Sequence, residues 1–314
     1  MKQRSSAEDN AVRTPPAAIP QALNIALAFI AGSCAVALLQ FVSHANHRLQ
    51  ILAGAVAFSY VNNTVFSLLH EAVHGVFHSS RQVNDLFGRW LAAFFPTSFS
   101  LQRLFHLGHH QRNRSPAERF DYISPGQNAF IKRAQWYGIL TGLYWLLPPL
   151  SSFLYLLAPN VFSSRFFRND EAAWSRQSGA GAMVAGIGRV RYGAASAEVL
   201  FAIAWQIALF HFLDLNFAGW ALCYAGFAVN WSSLQYADHA WSELDPLRGA
   251  WNLRVNPVVR WLFLNYHHHR VHHEDPRIPW IHLGRFVNAD EPRPSFWKIY
   301  LSMWKGPRPL PEET

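Results

Sequence analysis

Residues 51–74 read ILAGAVAFSYVNNTVFSLLHEAVH: 19 uncharged positions from Ile51 to Leu69, then His70-Glu71-Ala72-Val73-His74. A hydrocarbon core about 30 Å thick takes about 20 residues of apolar helix to cross. The run therefore reads as a membrane span that carries two histidines, one helical turn apart and on one face, to its end. Similar runs occur at Ala22–Val42 (21 residues without a charge), Trp136–Ala158 (23) and Ala218–Leu234 (17), and at Ala197–Leu213 with Glu198 near its edge. One alone would suit the buried helix of a soluble core. Five in a chain of 314 residues with 15% charged side chains, against about 25% in ordinary soluble proteins, point to lipid.

The same composition excludes other classes. Cys34 and Cys223 both lie in apolar stretches, so neither a disulfide framework nor a thiolate metal cluster is expected. The net charge of +8 comes from scattered rather than striped basic residues, so no nucleic-acid surface is expected. Ala22–Val42 is too long for a signal-peptide core and lacks a small-residue cleavage site, which makes it a retained anchor.

Basic residues favour the cytoplasmic side. Of 27 Lys and Arg, three precede the first run, Arg48 alone lies between the first two, none lies in Asp214–Phe217, and 23 fall in 70–135, 159–196 and 238–314. This predicts an all-α integral membrane protein of two helical hairpins, 22–69 and 197–237. That makes four spans, with tight turns outside and both termini inside. Trp136–Ala158, interrupted by Pro148-Pro149, then reads as a re-entrant or interfacial hairpin, and Leu86–Phe99 as interfacial. Residues 1–20 and 306–314 read as flexible tails around a single domain, 21–305, with 159–196 a cytoplasmic loop holding at most a short helix.

The histidines carry the chemistry. Beyond His70 and His74 stand His106-Leu-Gly-His109-His110, His269-Arg-Val-His272-His273, and His239 just past the last span. By the charge argument all lie on the cytoplasmic side, as a histidine-rich cap. His44, His47, His211 and His282 read as isolated interfacial polar residues. Clustered neutral imidazoles near lipid are costly unless something coordinates them, and imidazole suits Fe, Zn and Cu. Nine exceed the four ligands of one tetrahedral zinc and fit two ions. The count leaves the identity of the metal open.

The pattern HxxxH, HxxHH, HxxHH, with its first box ending one hairpin and its third following the second, resembles the membrane fatty acid desaturase superfamily. The neighbouring text agrees: Asn84-Asp85 after the first box, Gln111-Arg112-Asn113 after the second, Glu274-Asp275-Pro276 and Pro279-Trp280 after the third. The likeness runs from about residue 25 to 285. It implies a non-haem di-iron centre, O2 as co-substrate, and electrons from a separate carrier of ferredoxin, rubredoxin or cytochrome type docking on the cytoplasmic face. Carried over, the ligands are His70, His74, His106, His109, His110, His239, His269, His272 and His273. No separate side-chain base is assigned. Gln235 stands where some members hold a water through Asn. His78 extends the first box by a turn, and His267 and His268 make the third a run of five whose register rests on the HxxHH spacing. Glu71, Asp121, Asp238 and Glu274 are candidate carboxylate partners for ligand rings.

The implied reaction is oxidation of a lipid alkyl chain, first of all fatty acyl desaturation. Hydroxylation, carotenoid ketolation and decarboxylation to a terminal alkene are open to the same chemistry. A reading of another class exists: His70-Glu71-Ala-Val-His74 matches the HExxH zinc-protease motif, which would leave seven clustered histidines unexplained.

Overall fold

The computed structural model describes residues 17–164, 167 and 179–311. Two long helices form an antiparallel pair, α1 (Gln21–His44) and α2 (Arg48–His74). Gly75 adopts a left-handed conformation (φ 77°) and its N–H caps the Ala72 carbonyl, so α2 ends at its second histidine. Next come α3 (Arg81–Ala92), α4 (Phe99–Arg112), α5 (Ala129–Leu140), α6 (Leu147–Leu157) and the four-residue α7 (Ala180–Met183). A second helical pair, α8 (Tyr192–Leu213) and α9 (Phe217–Ala237), precedes the short α10 (Pro257–Leu262), α11 (His269–Glu274) and α12 (Phe296–Met303).

Among the described residues three helices, α1, α2 and α8, are long and apolar enough to cross a membrane, and a fourth crossing results if the bent pair 129–157 counts as one. The expected fourth span is a helix of 21 residues, α9, but its longest apolar stretch is less apolar than those of these three. One of its polar side chains reaches α2, Asn230 Nδ2 donating to Ser59 Oγ (3.2 Å), while Ser233 Oγ donates within α9 to the Asn230 carbonyl. On α2, Asn63 Nδ2 donates to the Ser59 carbonyl and Ser67 Oγ to that of Asn63. Lipid offers no hydrophobic drive between helices, so close packing and the Asn230–Ser59 bond, about 0.6 kcal/mol for an average interhelical bond, hold the seam.

The run 136–158 does break, but not at its prolines. The chain bends by 83° between Leu140 and Leu143. Gly142 sits there at φ 82°, against the α9 backbone, where a Cβ would come within 2.8 Å of Ala228 C. Pro148 and Pro149 instead lie in the first turn of α6, where a missing N–H costs nothing.

The main core packs Phe58, Leu68, Leu69, Phe77, Phe94, Phe99, Tyr224 and Phe227 between α1, α2, α3, α4 and α9. Two buried polar links tie its ends together. Asn24 of α1 donates through Nδ2 to the Phe77 carbonyl (2.8 Å) and accepts from Trp280 Nε1 (2.9 Å). Residues from 306 onward, expected as a tail, are partly tied down. Arg308 and Pro309 pair in parallel with Tyr122 and Ile123, and the Arg308 guanidinium lies 3.8 Å over the Trp241 ring. Of the other expected tail and the 159–196 loop, residues 1–16, 165–166, 168–178 and 312–314 lie outside the described residues.

Candidate metal centre

Four segments converge at one end of the helices. The last turn of α2 brings His70 and His74, α4 brings His106, His109 and His110, the turn after α9 brings His239, and α11 brings His269, His272 and His273. These nine fall into two clusters. His70, His74, His106, His110 and His272 form one; His109, His239, His269 and His273 form the other; ligand atoms within each lie no more than 4.8 Å apart. All three boxes therefore share one end of the fold.

The facing atoms are Nε2. In the five-membered cluster His106 Nε2 lies 2.7 Å from His74 Nε2 and 3.2 Å from that of His110, which lies 3.0 Å from His272 Nε2. In the other, His239 Nε2 is 3.2 Å from His109 Nε2 and 3.1 Å from His269 Nε2, itself 3.2 Å from His273 Nε2. A ring nitrogen carries either one proton or one lone pair, so hydrogen bonding among the rings cannot satisfy these chains of contacts. Two nitrogens each about 2.1 Å from one ion, at right angles about it, stand about 3.0 Å apart. The spacings match such a shared edge.

Second partners fix two tautomers. His109 Nδ1 lies 2.6 Å from Glu118 Oε2, whose other oxygen accepts from Arg112 Nε (3.0 Å), and His239 Nδ1 donates to the Gly249 carbonyl (2.8 Å). Both rings thus keep their protons on Nδ1, and their Nε2 lone pairs face each other at 3.2 Å. A shared cation turns that repulsion into attraction. His70 Nε2, buried and without a hydrogen-bond partner, is a further donor awaiting an acceptor of its lone pair. Burial first, then the neighbouring rings, hold His106, His272 and His273 well below the ordinary imidazole range and push His110 down to about 2. Neutral, lone-pair-bearing imidazoles are what metal coordination needs.

The other sequence candidates lie outside both clusters. His78 Nδ1 accepts from the Ser80 N–H (2.9 Å). His267 and His268 pack against each other, ring centroids 4.0 Å apart. Gln235 Oε1 accepts from Tyr266 OH (2.9 Å), and the Tyr266 ring lies beside one histidine of each cluster, 5.0 Å from His70 and 4.9 Å from His269.

The carboxylates divide in the same way. Asp238 is buried, with Oδ2 3.7 Å from His269 Nδ1, and burial raises its carboxyl well above the usual range. Glu71 is turned to the Trp280 backbone N–H (3.0 Å), with His70 Nδ1 4.0 Å away. Asp121 takes a bidentate pair from Arg114 (2.8 Å each) and the Trp241 N–H, and Glu274 bonds Arg270 at the surface.

Comparison with known families decides the kinship. The fatty acid desaturase family profile matches residues 46–304, most of the chain and all nine clustered histidines. The chain belongs to the fatty acid desaturase family. A comparison with curated proteins gives no match. In this desaturase-family chain, sequence reasoning missed Glu118 and the placing of Tyr266. Glu118 follows His109 by nine residues across a turn in which Arg114 takes φ 60°, so no helical spacing links the two.

Proposed function

We propose that this chain is a di-iron oxidase of lipid alkyl chains and that its reaction is fatty acyl desaturation. The observation that carries this reading is the division of nine imidazoles into adjoining clusters of five and four. The donor set is all nitrogen and thiolate-free, suited to iron that turns over between oxidation states. His70, His74, His106, His110 and His272 would hold one ion, and His109, His239, His269 and His273 the other. When bound, the iron pair supplies the power to reduce O2 and to take hydrogen from an unactivated methylene. O2 takes up four electrons and four protons to give two waters; two of each come from the alkyl chain as it becomes an alkene, the other two electrons come from the external carrier, and the other two protons come from solvent.

The protein's own residues position and protect. Glu118 and the Gly249 carbonyl hold His109 and His239 with their lone pairs inward. Leu264, Trp280 and Leu283, all buried, close the side of the site beside His70 and His272 against water. With Glu71 hydrogen-bonded to the backbone of Trp280 and the histidines gathered in two clusters, the single-zinc protease reading finds no support. The basic segments favour a cytoplasmic position for the clustered end, where arginines would complement an acidic carrier.

Lipid and hydrocarbon profiling by mass spectrometry, in a host with and without the gene, tests the reaction. A new double bond in fatty acyl chains is expected. Alcohols, ketones or shortened terminal alkenes in its place would move the chain to another reaction of the same class.

A further inference from the structure

Among the described residues, helix α4 is the only element besides α11 that feeds both clusters: His106 and His110 enter one, His109 the other. Its position along its axis and its rotation about that axis therefore set both ion sites together. What fixes them lies two turns away. Glu198, buried near the start of α8, lays its carboxylate on the first turn of α4. Oε2 accepts from the Ser100 backbone N–H (2.8 Å) and from Ser98 Oγ (2.7 Å); Oε1 accepts from Ser100 Oγ (3.0 Å) and from Arg89 Nε (3.1 Å). Ser98 is also the N-cap, its Oγ accepting from Leu101 N–H. A helix N-terminus has unpaired N–H groups and a partial positive charge, and here an acid from another helix is built in to meet them.

We infer that Glu198 is a positioning residue for the oxidation centre, holding α4 in the one register that serves both histidine clusters. The inference rests on the proposed metal reading. Glu198 is remote from the histidines: seven residues of helix separate Phe99 from His106, about 10 Å of rise. The carboxylate acts through α4. Other contacts hold the rest of α4, Arg103 in its second turn to the Ala72 and Val73 carbonyls and to Asp85, and Arg112 at its far end to Glu118, so the helix is held along its length and Glu198 is the hold on its first turn.

The chemistry gives a discriminating variant. Two of the four donors are fixed in direction, Ser100 N–H on Oε2 and Arg89 Nε–H on Oε1. In Glu198→Gln one end of the amide is itself a donor, so whichever way it turns, an N–H2 meets one of those fixed donors. Glu198→Asp keeps the charge but draws it back by one methylene. Ser100→Ala removes a single hydroxyl bond and leaves the fold's other contacts in place.

The test uses the full chain in lipid nanodiscs. Cobalt(II) titration followed by its visible bands reads the histidine sites without iron or turnover, and kcat and KM are measured with the iron-loaded enzyme. Glu198→Gln should bind cobalt more weakly with altered bands and lose about 10–100-fold in kcat, the scale of a displacement near 1 Å, with KM for the lipid unchanged. Glu198→Asp should recover part of both, and Ser100→Ala should shift the bands in the same sense by less. A lower unfolding temperature with wild-type bands and wild-type kcat would overturn the inference, as would a Ser100→Ala protein with wild-type bands and kcat if Glu198→Gln does not fold. Wild-type protein that binds cobalt but neither takes up iron nor oxidises lipid would instead overturn the proposed function, leaving the cobalt comparison to judge Glu198.

Discussion

His110 and His273 stack with ring centroids 4.2 Å apart and planes 27° apart, yet they belong to different clusters. His110 Nε2 points to His106 and His272, and His273 Nε2 to His269. The two histidine clusters thus share a wall of two rings, one from α4 and one from α11. Displacing either helix disturbs both sites.

Loss of one ring should therefore be felt beyond its own cluster. His109→Ala and His272→Ala are each expected to abolish turnover and to reduce bound iron, measured per chain by elemental analysis. His44→Ala, which loses only a contact to the Leu213 carbonyl at the opposite end of the helices, should leave both near wild type. Full activity in either cluster variant would remove that histidine from the centre.

Glu118 orients His109 without reaching the cluster itself. Outer carboxylate partners of this kind typically contribute 10–100-fold to metal affinity. Glu118→Gln should weaken metal binding by about that factor while leaving the helical content unchanged, which competition against a chelator will read. Asp121, committed to Arg114 and the Trp241 N–H, should affect stability instead.

The metal-free protein should lose stability in acid. His110 is pushed down to about 2 in the fold and titrates near 6.5 when unfolded. Between those values the unfolded chain binds the extra proton, so this contribution is complete above pH 6.5 and declines as the pH falls toward 2. The unfolding temperature of chelator-treated protein should drop from pH 7.5 to 5.5. An unchanged temperature would contradict the burial of neutral imidazoles.

The bend at Gly142 has its own test. Alanine there must take φ 82° and bring its Cβ within 2.8 Å of the α9 backbone. Gly142→Ala should destabilise by about 1–3 kcal/mol, seen as reduced thermal stability in detergent.

Much of this was legible in the sequence because it is local. The i,i+3 and i,i+4 spacing of His70/His74, His106/His109/His110 and His269/His272/His273 puts rings on one helical face, and these eight, with His239 supplied by the family resemblance, are the nine that gather. Their division is tertiary: helix geometry turns His109 and His110 about 100° apart, but which of them joins which cluster is set by the placing of α4 among the other histidine-bearing segments. The bend was expected at Pro148-Pro149, where proline chemistry is conspicuous. It falls at Gly142, because the constraint is the approach of α9, a partner distant in sequence. Glu118 escaped because a turn lies between it and His109, and Glu198 because its partners, Ser98 and Ser100, are about a hundred residues away.

The central claim is a pair of iron ions held by nine histidines, and metal stoichiometry tests it most directly. Protein purified from iron-replete cells should carry two irons per chain, lost together when His110, at the shared wall, is replaced by alanine. One zinc per chain and no iron would contradict it.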